Sequence, residues 1–246
     1  MADVAYLPGL PRMLPALLPA DDNSSPWRFP QYFADHFSEV MGWLWAHTWL
    51  SVVPVIAGLI IALPIGWLAS RHKWAYPPMM TVSGLLYTIP SIALFVLVPP
   101  LLGLDPLSPL QVPIALTVYS VALLVRVVAD GLGSVSEETL QAATAIGYTP
   151  VGRFFTVELP IAVPVITAGL RVAVVANVSI VAVAGTIGMV NLGLLFDQGF
   201  KLSTDTPYYP PIVLGLLLCV LLALVLDLLV ILLGRMLTPW RKAVRS

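Results

Sequence analysis

Polar side chains are scarce in this sequence, so the few that stand in apolar surroundings carry what chemistry it can do. Asp227 is isolated within the last long apolar run. An acid inside lipid is costly enough to mark a functional candidate, either attracting a cationic cargo or pairing with Arg126 or Arg171. Those two arginines fall near the inner ends of their runs, where long side chains also snorkel to the headgroups. Asn177, Ser179 and Thr186 share another apolar run and either line a path or bond between helices. Tyr87, Tyr119 and Trp67 offer ring faces that would attract a cation by cation–π contact. Their plainer reading is an aromatic belt at the membrane surface. His36, His47 and His72 are scattered, with no His-Glu-x-x-His pairing, no Gly-x-Ser-x-Gly turn and no Gly-Lys pair. A metalloprotease, a serine hydrolase and an intrinsic ATPase are therefore all unsupported.

The elements that must hold these residues are membrane helices. Of 246 residues, 59% are apolar and 10% charged, against about 45–50% and about 25% in a soluble domain, and the mean hydropathy is +0.92. Thr48 to Ser70, Pro77 to Leu104, Pro106 to Val125, Val172 to Phe196 and Thr206 to Leu226 contain no Asp, Glu, Lys or Arg. Each approaches or exceeds the roughly 20 residues that cross a hydrocarbon core of about 30 Å. The expected architecture is an all-α, multi-pass membrane protein with about five transmembrane helices, near 47–70, 77–103, 112–129, within 161–190, and 212–233. Pro90 and Pro99-Pro100 should break the second into unequal pieces. The net charge of −1 and pI near 6.3 give no footprint for nucleic acid. One cysteine, Cys219, excludes a disulfide framework within the chain.

Cationic residues set the expected sidedness. Arg71 and Lys73, Arg126 and Arg153, and Arg235, Arg241, Lys242 and Arg245 follow spans one, three and five. The loops around Asp105 and around Asp197, Lys201 and Asp205 have no positive excess. This predicts the N-terminus outside and the C-terminus inside. The division expected is 1–46 as an extracytoplasmic segment, 47–240 as the transmembrane domain and 241–246 as a cytoplasmic tail. The Pro-rich, Asp-bearing start does not read as a signal peptide, so it is expected to be retained. Phe29, Tyr32, Phe33, His36, Phe37, Val40, Met41 and Leu44 repeat at three and four residues, which predicts an interfacial amphipathic helix. It would anchor the chain on the membrane surface or dock an outside partner.

Between Asp130 and Leu159 the chain leaves the membrane on the expected cytoplasmic side. Ser136 with Glu137 and Glu138 supplies an N-cap and an acidic first turn, and Leu140, Ala143 and Ile146 follow at helical spacing. Gly147 and Pro150 end that helix. A second short one is expected from Pro150, with Phe154, Phe155 and Val157 as its apolar face, stopping at Leu159-Pro160. Glu137, Glu138, Gln141, Thr144, Arg153 and Glu158 should be exposed on this knob.

Glu138, Gln141-Ala142-Ala143, Gly147 and then Val157-Glu158-Leu159-Pro160 resemble the EAA signature of ATP-binding cassette importer permeases, with its spacing intact. Gln141 stands where the family has Glu, and Val157 where it has Ile. Leu123-Leu-Val-Arg126, Gly169-Leu-Arg171 and Asp227 are similar to the branch that imports glycine betaine, carnitine, choline and related amines. Where that branch has Gly-Gly-Leu-Gly after the fourth span, this chain has Gly185-Thr-Ile-Gly188-Met-Val-Asn191-Leu192-Gly193.

The resemblance implies residence in the plasma (inner) membrane and a type I importer-like permease fold whose loop 130–160 couples to a separate cytoplasmic ATPase. Glu138, Gln141, Ala142, Ala143, Gly147, Leu159 and Pro160 would mark the coupling site, and Gly147 would let two backbones approach. ATP and Mg would be bound by the ATPase and no cofactor by this chain. A substrate-binding protein outside and a second permease copy or paralogue are the further partners, alongside membrane lipid. An importer for methionine or another amino acid is the near alternative. An ATP-independent channel or ion-coupled transporter is the alternative of another class.

Overall fold

The computed structural model describes residues 25–72, 74–105, 108–201 and 208–239. Among them the regular structure is helical: α1 (Phe29–Asp35), α2 (Phe37–Arg71), α3 (Tyr76–Thr88), α4 (Ser91–Leu102), α5 (Gln111–Gly133), α6 (Glu137–Ala145), α7 (Pro150–Arg153), α8 (Leu159–Val183), α9 (Gly193–Lys201) and α10 (Tyr209–Leu237). Four stretches are long and apolar enough to cross a membrane, namely α2, α5, the run Pro150–Ile187 that contains α8, and α10; the bent pair α3–α4 makes a fifth if it is one span. This agrees with the expected count.

The first span starts earlier than its charge-free run. α2 begins at Phe37, so Phe37 to Leu44 belong to the same helix as Thr48 to Ser70. No residue between them breaks a helix, and one unbroken ladder leaves fewer orphan N–H groups than two. Only Phe29–Asp35 forms the separate helix α1. It packs on α10, its Tyr32 ring edge-on to Tyr208 at the start of that helix, while the Tyr32 hydroxyl donates to Gln198 Oε1 of α9 at 2.7 Å. Burial, helped by Tyr208 and Glu39, pushes the Tyr32 phenol up to about 12, so it remains a donor.

Pro90 divides the second apolar stretch into nearly equal halves bent by 103°. Ile89, ahead of the proline ring, is held in extended backbone (ψ 130), the conformation that steric conflict with the ring enforces. Pro99 and Pro100 stay inside α4 without breaking it. The carbonyl of Ile89, freed by the break, accepts from the Tyr119 hydroxyl, and Tyr87 stacks edge-on to Tyr119 at 5.8 Å.

α5 is central, packed by α2, α3, α4 and α8. α2 lies against it through two glycines: a methyl group on Gly58 would meet Ser120 Cβ at 2.5 Å, and one on Gly66 would meet Val128 Cβ at 2.7 Å. Helices in lipid gain by such close backbone approach, because hydrophobic burial does not drive them together there. The C-terminal ends of α2, α5 and α10 gather with the N-terminal end of α8. Arg71 bonds Glu158, Gly131 lies against Val165 and Ile166, and Gly234 lies against Thr167.

Candidate functional site

The knob beyond α5 is built by capping. Ser136 Oγ accepts from Thr139 N at 3.3 Å at the start of α6, whose first turn holds Glu137 and Glu138. Its end is a Schellman turn, with Tyr148 N donating to Ala143 O at 3.1 Å and Gly147 N to Thr144 O at 3.0 Å. That turn requires a left-handed residue, supplied by Gly147 at φ +93. Thr149 then caps α7, accepting from Gly152 N at 3.2 Å, and Pro150 takes the first helical position. Gly147 has open space around it within this chain, so its intrachain role is backbone conformation.

Two expectations about the knob are corrected. The second helix does not stop at Leu159-Pro160; α7 passes through a π-helical turn at Phe154–Glu158 directly into α8. Pro160 is the second residue of α8, just after the π-helical turn. Nor is Glu158 exposed: it is buried between Arg71 at the end of α2 and Arg153 of α7. Arg153, itself only part-exposed, donates to Glu158 Oε1 at 2.9 Å and to Thr144 Oγ1 at 2.7 Å. Arg71 lies over the Trp67 ring, whose edge meets Phe154. The knob is thus bolted to α2 and α8. Trp67 belongs to this joint, away from Tyr87 and Tyr119.

Ala143 is the buried member of the signature, while Glu138, Gln141 and Ala142 are exposed. Leu159 and Pro160 are half-buried at the junction. At the tip Ile146, Tyr148, Val151 and Phe155 are exposed at 77%, 40%, 67% and 62%, too much apolar surface for a solvent-facing turn without a partner.

The membrane-embedded candidates separate into two groups. Asn177 is buried and ties three helices, its Nδ2 donating to Ser51 O at 3.3 Å and Ser120 Oγ at 3.2 Å. One turn away His47, also buried, donates from Nε2 to Val178 O at 3.0 Å and accepts at Nδ1 from Leu192 N at 3.3 Å. The sequence reading missed His47 as a structural pin because it was tested against metal motifs alone; a histidine flanked by Trp45 and Trp49 at a span was the available signal. Asp227 and Arg171 form the second group, a two-pronged ion pair with Nε–Oδ1 at 2.7 Å and Nη2–Oδ2 at 2.9 Å. This settles the partner of Asp227 between the two arginines considered. Ser179 lies on the exposed side of α8.

Residues 55–242 match the family described as binding-protein-dependent transport system inner membrane component. The chain belongs to this permease family. Over 210 residues the permease is 38% identical to the osmoprotectant import permease protein OsmW of Salmonella typhimurium, covering 85% of this chain and 96% of that one. It is 30% identical over 210 residues to the choline transport system permease protein OpuBB of Bacillus subtilis, covering 85% and 93%. A solved inward-facing form of the methionine ABC transporter MetNI superposes with a TM-score of 0.72 at 21% identity, covering 83% of the permease and 98% of that chain. That likeness establishes the type I importer permease fold.

Proposed function

We propose that this permease forms the membrane pathway of an ATP-driven importer for osmoprotectants such as glycine betaine, carnitine or choline. The observation that carries the reading is the 38% identity to an osmoprotectant import permease along almost that protein's whole length. Loop 130–160, with Glu138, Gln141, Ala142, Ala143, Gly147, Leu159 and Pro160, is the coupling site, and its apolar tip seats in a separate cytoplasmic ATPase that binds ATP and Mg. The chain itself is non-catalytic. The N-terminus lies outside and the C-terminus inside, a reading supported by the gathering of Arg71, Arg153 and Arg235 at the knob end. A binding protein delivers cargo from outside, and a second permease copy or paralogue completes the path.

The test is purification of the tagged permease from its native membrane in mild detergent, followed by reconstitution with the subunits that accompany it. Recovery of a nucleotide-binding subunit, with ATP-dependent uptake of a quaternary amine, is the expected result. Uptake of methionine or another amino acid in place of quaternary amines overturns the cargo, and gradient-driven flux by the chain alone overturns the coupling assignment.

A further inference from the structure

The pair Arg171–Asp227 lies within two helices long and apolar enough to cross a membrane. Arg171 lies twelve residues into α8 and Asp227 ten residues before the end of α10, about 18 Å and about 15 Å along their helices at 1.5 Å per residue. The side chains are 44% and 22% exposed. They line an open cavity of about 570 Å³ with Ala168, Val172, Val175 and Ala176. Ionised groups within membrane-spanning segments face the protein interior or a water-filled cavity. The cavity lies along an uncovered stripe of α8, Ile161, Val165, Ala168, Val172, Val175 and Ser179, spaced four and three residues apart. A charged cavity on that stripe is a water-filled path or the seam with a second copy that encloses one.

The pairing also leaves capacity. Nε and Nη2 of Arg171 are engaged by Asp227, and among the described residues nothing accepts from Nη1. The Nη1–Nη2 edge of a guanidinium fits a carboxylate with two parallel bonds. Asp227 supplies the negative charge that a quaternary ammonium needs, since such a cation has no N–H to donate.

We propose that Arg171 and Asp227 form a charge-reading subsite of the translocation path, which takes a zwitterion with its carboxylate on Arg171 and its cationic end toward Asp227. With no cargo the two residues neutralise each other. The inference deepens the osmoprotectant reading and rests on it for the cargo class. It makes Arg171 the residue that separates carboxylate-bearing amines from plain cations.

The test uses the permease assembled with its ATPase and binding protein in liposomes, measuring uptake of glycine betaine and of choline. Arg171→Lys keeps the charge but loses the two-pronged edge; glycine betaine uptake is expected to fall about tenfold or more relative to choline uptake. The double variant Arg171→Gln/Asp227→Asn removes both charges while leaving a hydrogen-bonding pair between α8 and α10; it is expected to assemble and to lose uptake of both. Equal losses of both cargoes in Arg171→Lys, wild-type betaine uptake in the double variant, or failure of both variants to assemble each overturn the subsite. The wild type separates this from the cargo reading. If it carries methionine but no quaternary amine, the osmoprotectant reading falls, and the same variants are run with methionine, itself a zwitterion. Unchanged methionine uptake by the double variant then overturns the subsite too.

Discussion

Arg153 Nε lies 2.9 Å from Glu158 Oε1, closing a five-residue turn whose backbone is π-helical. Because Glu158 also bonds Arg71, one buried carboxylate joins the end of α2, the knob and the root of α8. A push on the knob therefore reaches two membrane helices without passing through a flexible loop. π-Helical turns within α-helices recur at functional sites, and here the turn sits at the joint between knob and membrane domain.

Glu158→Gln should loosen this joint. It leaves Arg71 and Arg153 close together without their shared counter-charge, and breaking a buried pair from one side costs about 3 kcal/mol. A lower thermal midpoint in detergent and faster proteolysis at 137–158 are expected. An unchanged midpoint and cleavage rate would show that the carboxylate does not hold the knob.

Substitutions at Gly147 distinguish conformation from space. At φ +93 a left-handed residue is needed, and side chains other than Asn and Asp pay about 1–2 kcal/mol there. Gly147→Asn should retain more uptake than Gly147→Ala although Asn is larger, and Gly147→Asp, with an acid at the negative end of α6, should abolish uptake with the protein still in the membrane. The opposite order of Asn and Ala would mean that close approach of a partner sets the requirement.

The exposed tip should govern ATPase capture. Ile146 and Val151 would each contribute about 1.5–3 kcal/mol if fully covered. Ile146→Glu or Val151→Glu is expected to weaken binding of the ATPase subunit by about tenfold or more, with little change in the permease's own thermal midpoint. Wild-type affinity in both variants would move the docking surface elsewhere.

His47→Leu should destabilise the end of the bundle remote from the knob. It removes the acceptor of the buried Leu192 N–H and the bond to Val178 O, and leaving a buried donor unsatisfied costs about 1–3 kcal/mol. The expected outcome is a lower thermal midpoint and faster amide exchange at Leu192. An exchange rate equal to that of the wild type would exclude the pin.

The sequence by itself determined the helices and the knob. Apolar runs set the spans, Pro90 set the break, and Ser136, Gly147 and Thr149 set the boundaries of α6 and α7. These are local effects, in which a backbone group is satisfied or lost within a few residues, so they are written in adjacent letters. The turns of the stretch from Glu138 to Pro160 were legible for the same reason, since its residues shape one turn after another. The joining of α2 to the amphipathic segment was not, because no start signal separated them and charge alone suggested a boundary at the membrane edge.

Only the tertiary structure decided which polar groups meet. Asp227 had two candidate arginines in sequence, and the packing of α8 on α10 selected Arg171. Glu158 read as a surface acid until α2 brought Arg71 to it, and His47 found its partners on α8 and at Leu192. In each case the partners lie far apart along the chain, and the choice depends on helix rotation and crossing. Those are fixed by side-chain packing such as Gly58 on Ser120 and Gly66 on Val128, where the contact belongs to two helices at once and neither sequence segment specifies it alone.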